Sequence, residues 1–274
     1  MGILNITPDS FSGDGLLQRG DALKAALEQA RSFLAAGADI LDIGGESTRP
    51  GSQAVSADEE MKRVLPVIET LRQEFPDAVL SVDTYKAAVA EAALKAGADL
   101  VNDVWALRAD PRMAEVVAHF GAPLILMHNR SQPANIEVRE HLGSAYRAAE
   151  YQNLLEEVKR DLLESVAIAH RAGIPDERIL LDPGIGFGKS VEQNLELIDR
   201  LGELRALGYP ILLGPSRKSF IGYTLNLPPD QRLEGTAAAI AVGIVRGADI
   251  VRVHDVEAMV RVARMTDAIV RGKR

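Results

Sequence analysis

The feature that most constrains the fold is a phrase that recurs three times along the 274 residues: "AAGADILDIGGES", "KAGADLVNDVW" and "VRGADIVRVHD". In each copy a helix-like stretch ends at a glycine (Gly37, Gly97 or Gly247), Ala-Asp follows, and a short apolar run ends in polar residues. Glycine is favoured just after a helix because it adopts the left-handed conformation without steric cost. The phrase therefore predicts a repeated unit of helix, turn and buried strand.

Looser copies raise the number of apolar runs to eight: "MGILNIT", "FPDAVLSVDT", "GAPLILMHN", "PDERILLDPG" and "GYPILLGPS". The runs lack polar alternation, which is typical of strands covered on both faces. Between them lie segments with apolar residues at helical spacing. Eight such units predict an α/β fold, a single (β/α)₈ TIM barrel spanning residues 1–274, with its active site at the C-terminal ends of the strands. An open doubly wound sheet is the second choice, because no GxGxxG follows the first strand.

Composition and charge exclude several classes of partner and location. The net charge of −8 argues against nucleic acid as a partner. The chain has no cysteine, which excludes disulfides and cysteine-ligated metals. No apolar run approaches the roughly 18 residues of a membrane span. We therefore predict a cytoplasmic protein without membrane or nucleic-acid partners.

Polar side chains stand at the end of every predicted strand. For any one of them, capping of the next helix is the ordinary interpretation, but eight strands out of eight favour a site. Asp83, Asn102 and Asp182 suit a flat ligand rich in N–H donors, whereas cations suit an anion. The sequence thus predicts a substrate with an aromatic end and an anionic end. The full ring consists of Asn5, Asp42, Asp83, Asn102, Asp103, His128, Asp182, Ser216, Arg217, Lys218, Arg252 and His254, with His128 left open between barrel packing and the site.

Several motifs stand in order along the whole chain: "TPDSFS", "GGESTRPG", "LLDPGIGFGKS", "GPSRKSFIG" and "IVRVHDV". Together they resemble the dihydropteroate synthase family. The resemblance implies a (β/α)₈ barrel that condenses 6-hydroxymethyl-7,8-dihydropterin diphosphate with 4-aminobenzoate, giving 7,8-dihydropteroate and diphosphate. It also implies Mg²⁺ as cofactor, a homodimer, and sulfonamides as inhibitors.

The resemblance also implies roles for individual residues. The pterin would contact Asp83, Asn102, Asp182, Lys218 and Arg252. The 4-aminobenzoate would contact Phe11, Thr48, Arg49, Pro50 and Ser219. The diphosphate would contact Asn5, Arg252 and His254, with Asn5 also contacting the metal. The catalytic set would be Lys218, Arg252, His254 and Asp83.

Two alternatives remain open at this point. A methyltetrahydrofolate–corrinoid type of methyltransferase would share the barrel and the Asp/Asn ring, but it transfers no diphosphate and does not need "TPDSF", "STRPG" or "SRKS". A non-catalytic pterin-binding paralogue would be expected to lose Lys218, Arg252 or the first two loops, and all of these are present.

Four further expectations concern supporting structure. Arg217 is expected to pair with a carboxylate, because adjacent side chains cannot both point into the site. Asp58 and Asp255 are expected to cap helices. The segment 129–143 is expected to be a long loop. The last helix, 255–271, is apolar around much of its girth, which predicts a subunit interface.

Overall fold

The computed structural model describes residues 1–7, 19–132 and 134–272. Phe11, assigned above to the aminobenzoate pocket, lies outside the described residues. The chain divides into two compact units. The first unit comprises Met1–Thr48, Gln53–Leu126 and Ser165–Ile179, and the second comprises Arg49–Ser52, Met127–Glu164 and Leu180–Arg274.

The first unit is built on parallel strands that pair in chain order, each with the next. The strands are β1 (Gly2–Asn5), β2 (Ile40–Gly44), β3 (Val79–Asp83), β4 (Leu100–Asp103) and β5 (Leu124–Met127), whose last residue belongs to the second unit. Helices follow the first four strands: α1 (Arg19–Ala35), α2 (Ala57–Glu74), α3 (Ala87–Ala96) and α4 (Met113–Phe120). The strand interiors are fully buried, as at Leu4, Leu41 and Leu80. This burial confirms that apolar runs without polar alternation indicate strands covered on both faces.

The second unit begins with an antiparallel hairpin and then returns to alternating helices and parallel strands. Its elements are β6 (Ile136–Arg139), β7 (Gly143–Tyr146), α5 (Leu154–Arg171), β8 (Ile179–Asp182), α6 (Val191–Asp199), α7 (Leu201–Arg205), β9 (Leu212–Leu213), α8 (Ser219–Leu225), α9 (Leu233–Val245), β10 (Ile250–Val251) and α10 (Val256–Val270). The end of α5 and the first residue of β8 belong to the first unit. Leu181 bridges Ile211 in parallel, and β9 pairs with β10 in parallel.

The hairpin corrects one expectation. The segment 129–143 was predicted as a long loop, but Ile136 to Arg139 pair in register with Tyr146 to Gly143. The strands carry only one or two apolar residues each, so no hydrophobic run marks them, and the pairing itself supplies their backbone hydrogen bonds.

The recurring phrase has the same structure in two of its three copies. Gly97 and Gly247 adopt left-handed φ angles of 112° and 109°, and each ends a helix. The aspartate two residues later then accepts a backbone N–H of a neighbouring strand: Asp99 from Leu80 at 2.7 Å, and Asp249 from Ile211 at 2.9 Å. In these copies the glycine ends a helix, and the aspartate links the start of the next strand to the neighbouring strand by a hydrogen bond.

The helix caps partly correct the sequence interpretation. Ser56, not Asp58, caps α2 by accepting a hydrogen bond from the Glu59 amide. Asp255 stands at the cap position of α10 but its side chain makes no cap bond. Among the described helices, none is both long and apolar enough to cross a membrane.

Candidate active site

In the first unit, one row across the sheet brings three predicted pterin and diphosphate residues into line. Asn5 is paired with Gly44, Gly44 with Asp83, and Asp83 with Asn102. Residues paired directly across parallel strands lie on the same face of the sheet. The row therefore presents an amide, a carboxylate and a second amide together at the C-terminal ends of β1, β3 and β4.

The amide of Asn102 is oriented by a buried carboxylate. Its Nδ2 donates to Asp42 Oδ2 at 3.1 Å, and both side chains are buried. Because Nδ2 is engaged in this way, the Oδ1 atom is left to serve as an acceptor. Asp42 thus supports the row from the layer beneath it.

In the second unit, Asp182 ends β8 as a buried carboxylate, only 5 % exposed. Its Oδ1 accepts the amide N–H of Gly184 at 2.7 Å. Burial raises the pKa of Asp182, while Lys218, the Gly184 amide and Arg252 act in the opposite direction. N–H donors from a ligand would stabilise this carboxylate further, because hydrogen bonds to the ionised form lower its pKa.

Two cations lie near this carboxylate. A Cβ atom placed on Gly214 would lie 3.8 Å from the Cβ of Arg252 and 4.0 Å from the Nζ of Lys218. The Lys218 ammonium donates to the Ile185 carbonyl and lies 4.6 Å from the centre of the Phe187 ring. The structure thus brings Asp182, Lys218 and Arg252 together within one unit.

The neighbouring cation points elsewhere. Arg217 has a left-handed φ of 57° and its Nε donates to Asp255 Oδ2 at 2.8 Å. This ion pair confirms that Arg217 pairs with a carboxylate, and it explains why Asp255 makes no cap bond. The backbone turn at Arg217 allows adjacent side chains to diverge.

His254 is neutral at pH 7. Burial lowers the pKa of His254 to about 3, with Arg252, Arg49 and Arg217 adding to the effect. The Ser216 hydroxyl oxygen accepts the His254 backbone N–H at 3.2 Å, and it lies 3.1 Å from Nδ1. The hydroxyl can then donate its own proton to Nδ1, which leaves the ring proton on Nε2. His254 therefore offers an N–H donor to an anion, without a positive charge of its own.

The sequence interpretation did not identify Lys189, a buried cation beside the Asp182 turn. Lys189, 4 % exposed, donates to the carbonyls of Gly184 at 2.9 Å and Phe187 at 3.1 Å. Its Nζ also lies 3.0 Å from Nδ1 of His128, whose Nε2 lies 3.3 Å from Asp161 Oδ2. Lys189 therefore holds the turn between Asp182 and α6, and His128 supports that turn rather than a ligand.

Electrostatics and packing agree with this arrangement. Burial lowers the pKa of Lys189 to about 7, and burial followed by Lys189 lowers the pKa of His128 to about 3. Gly184 has a φ of 69°, and a Cβ atom there would lie 1.8 Å from the His128 carbonyl oxygen. The only sequence signal was the glycine density of "GIGFGK", which marks close backbone approach.

The segment between β2 and α2 carries three predicted aminobenzoate residues. Thr48 ends the first stretch of the first unit, and Arg49 and Pro50 begin the second unit. The Ser52 amide and hydroxyl both donate to the Arg49 carbonyl, which closes a tight turn. The Ser144 hydroxyl of β7 donates to the Pro50 carbonyl at 3.2 Å. Ser219, the remaining predicted contact, is the first residue of α8.

Metal-binding groups are sparse in the part of the chain that the structure describes. Within residues 1–7, 19–132 and 134–272, no group of three or more His, Asp or Glu side chains could hold a metal. The metal ligand predicted from sequence, Asn5, is a half-buried amide at the end of β1.

Comparisons with known proteins match this architecture over nearly the whole chain. Residues 1–254 match the model of the family described as "Pterin binding enzyme". The dihydropteroate synthase of Clostridium beijerinckii is 50 % identical over 272 residues, which is 99 % of this chain and 94 % of that protein.

Solved structures agree as closely. A Clostridium difficile dihydropteroate synthase in the presence of pteroic acid has a TM-score of 0.90 and 49 % identity, covering 99 % of this chain and 96 % of that one. The Xanthomonas albilineans enzyme with 4-aminobenzoic acid has a TM-score of 0.87 and 43 % identity (98 % and 92 % covered). The Yersinia pestis enzyme with a sulfonamide drug has a TM-score of 0.88 and 44 % identity (100 % and 94 % covered).

This agreement confirms the predicted fold class, an α/β (β/α)₈ barrel. It also confirms the resemblance drawn from the motifs. The chain belongs to the pterin binding enzyme family.

Proposed function

We propose that this chain is a dihydropteroate synthase, which condenses 6-hydroxymethyl-7,8-dihydropterin diphosphate with 4-aminobenzoate to give 7,8-dihydropteroate and diphosphate. The observation that carries the proposal is the convergence of a buried acceptor, Asp182, with Lys218, Arg252 and the His254 donor in one unit. Such a set suits a ligand with N–H donors at one end and a polyanion at the other. The family and the ligands of the related structures support the same reaction.

The pterin ring is held by acceptors. Asp182 receives ring N–H donors. The resemblance drawn from the motifs assigns Asp83 and Asn102, which are paired at the ends of β3 and β4, to the same ring. Lys218 contacts the ring, and the planar guanidinium of Arg252 stacks on it. Leaving a buried donor or acceptor unpaired costs about 1–3 kcal/mol, so these contacts select pterin over a ring with a different donor pattern.

The diphosphate leaves from the pterin methylene. Arg252 and the Nε2–H of His254 stabilise negative charge as it develops on the leaving oxygen. The resemblance assigns Asn5 to the same end of the substrate. Asn5 offers one hard oxygen ligand, which fits Mg²⁺ because this ion usually takes one or two protein oxygens plus substrate phosphates and water. When bound, Mg²⁺ neutralises charge on the diphosphate.

The second substrate needs positioning more than activation. The amine of 4-aminobenzoate is neutral at pH 7 and nucleophilic. As the carbon–oxygen bond breaks, the electron-rich dihydropterin shares the positive charge left on the methylene carbon. The amine nitrogen then bonds to that carbon and releases a proton. Thr48, Arg49 and Pro50 contact the benzoate ring, and Ser219 receives its carboxylate. Phe11 lies outside the described residues and is assigned to this pocket by the resemblance alone. Holding the two reactants in line supplies much of the rate enhancement. Sulfonamides would compete for this pocket.

A coupled assay tests the proposal. Purified protein with Mg²⁺, pterin diphosphate and 4-aminobenzoate is expected to release one diphosphate per dihydropteroate, and omission of 4-aminobenzoate is expected to stop the release. A protein that binds pterin in calorimetry without releasing diphosphate would instead be a non-catalytic paralogue. Transfer of a methyl group from methyltetrahydrofolate would indicate the methyltransferase alternative.

We also propose that the chain acts as one domain and assembles as a homodimer through α9 and α10, which pack on each other. The support is a set of exposed apolar side chains on these helices, among them Val245, Met265 and Ile269. The cytoplasmic location stays a prediction.

Replacing Ile269 by glutamate is expected to convert the dimer to a monomer in sedimentation velocity, because a charge would be buried in the interface. Val138→Glu is the matched control, since Val138 and Ile269 are both 70 % exposed and only Ile269 lies on these helices. A wild-type monomer, or an unchanged Ile269→Glu dimer, would contradict the proposed interface.

A further inference from the structure

A buried ion group lies beside the predicted aminobenzoate segment and has no part in the proposed reaction. Lys86, just before α3, binds the carboxylates of both Glu46 and Glu60. The side chains of Glu60, Glu46 and Lys86 are only 1 %, 10 % and 16 % exposed. Burying charged groups is costly unless they are paired and hydrogen-bonded, so an arrangement of this kind calls for a function.

Glu46 makes contacts that the other two members do not. It belongs to "GGESTRPG" and begins the loop 46–55, which connects β2 to the cap of α2. Its Oε2 accepts the backbone N–H of Val55 at 3.0 Å, so one side chain joins the first residue of the loop to the last. Its Oε1 accepts the Tyr85 hydroxyl at 2.8 Å.

The partners of Glu46 are themselves fixed. Burial, followed by the hydrogen bond to Glu46, raises the pKa of Tyr85 to about 12, so its phenol stays protonated and donates. Lys86 lies 4.5 Å from the centre of the Tyr85 ring. Glu60 projects from α2 and binds the same ammonium, while burial raises the pKa of Glu60. The base of the loop is thus held by three donors on one carboxylate.

Neutral hydrogen bonds are among the contacts of the loop between these ends. Ser52 closes a turn onto Arg49, and Ser144 donates to the Pro50 carbonyl. A charge-assisted bond such as the one from Lys86 to Glu46 is roughly twice as strong as a neutral one. The distance between the two ends of the loop, which flank Thr48, Arg49 and Pro50, therefore depends on Glu46.

We propose that Glu46 is a positioning residue that closes the loop 46–55 and thereby sets the affinity for 4-aminobenzoate without touching it. The inference rests on the proposed function, because that function assigns the loop to the second substrate. The proposed function does not assign this loop to the pterin, whose contacts lie at the strand ends and on β8. Loss of Glu46 therefore affects one substrate and spares the other.

Glu46→Gln tests this inference with little change in size. The amide keeps one acceptor but presents an NH₂ group to donors at Val55, Tyr85 or Lys86. We expect the KM for 4-aminobenzoate to rise about tenfold or more, with the KM for pterin diphosphate within about twofold of wild type. Glu74→Gln is the matched control, since Glu74 is the last residue of α2, at the end away from the loop, and pairs with Arg31 at the surface.

Hydrogen exchange read by mass spectrometry on the substrate-free protein supplies the second measurement. Amides of residues 47–55 are expected to exchange faster in Glu46→Gln and at the wild-type rate in Glu74→Gln. Unchanged exchange, or a rise of both KM values by the same factor, would overturn the inference. An inactive wild-type protein would overturn the proposed function instead, and the exchange measurement would still decide whether Glu46 closes the loop.

Discussion

Asp182→Ala is expected to abolish dihydropteroate formation because the variant no longer binds the pterin. Asp182 is a buried acceptor, and its Oδ1 already receives the Gly184 amide. Without the carboxylate, ring N–H groups would be desolvated and left unpaired, at a cost of about 1–3 kcal/mol or more for each charge-assisted bond lost. Calorimetry with the pterin diphosphate should show at least a hundredfold weaker binding, which corresponds to about 2.7 kcal/mol.

Asp182→Asn separates this loss from a loss of stability. The amide keeps the size of the side chain and an acceptor for Gly184, but it replaces an acceptor by a donor. Because burial raises the pKa of Asp182, the folded state disfavours its ionised form. The corresponding stability is present below the unfolded-state pKa and is lost as pH rises through the folded-state pKa.

The asparagine variant is therefore expected to melt at or above the wild-type temperature at pH 7, yet to bind pterin poorly. Asp199→Asn, at an exposed ion pair with Arg246, is the control and should bind pterin as wild type does. Wild-type affinity in Asp182→Asn would refute the assignment of Asp182 to the pterin. A variant that is unfolded at room temperature would show that Asp182 belongs to the scaffold.

The strands could be predicted because their signals are local. A glycine that needs a left-handed φ, followed by an aspartate and an apolar run, places a helix end and a strand start within five residues, as at Gly97. The polar residues at the strand ends followed from the same boundaries. The row of Asn5, Asp83 and Asn102 then needed only the parallel register.

The supporting residues could not be predicted, because their partners lie far away in the sequence. Glu46 meets Tyr85 and Lys86 about 40 positions later, and no periodicity records that contact. Lys189 was overlooked because lysine is rarely buried unless it is paired, and its partners are mainly carbonyls of its own turn. The hairpin of β6 and β7 was missed because it has no hydrophobic run.

Substitutions of the adjacent cations Arg217 and Lys218, and of Arg252, distinguish residues that stabilise the fold from residues that bind the substrate. Arg252→Ala and Lys218→Met are expected to melt near the wild-type temperature while kcat/KM for the pterin diphosphate falls about 100- to 1,000-fold, the range seen when one preorganised donor is removed from a developing charge. Methionine at position 218 keeps the apolar stem beside Phe187, so the turn that contains Ile185 retains its packing.

Arg217→Ala is the internal control for this experiment. Its ion pair with Asp255 is partly exposed, and pairs of that kind contribute about 0–1 kcal/mol. The Arg217→Ala variant should therefore lose a little stability and keep its kcat/KM, which is the reverse of the result expected for Lys218→Met.

Diphosphate binding, measured by calorimetry with Mg²⁺ present, should fall further in Arg252→Ala than in Lys218→Met, because Arg252 and His254 bind the anion whereas Lys218 contacts the ring. If Arg252 or Lys218 were instead a structural cation, its removal would leave a buried carboxylate such as Asp182 without its partner and lower the free energy of unfolding by about 3–5 kcal/mol. A lower melting temperature with unchanged turnover per folded molecule would therefore assign that residue to the scaffold.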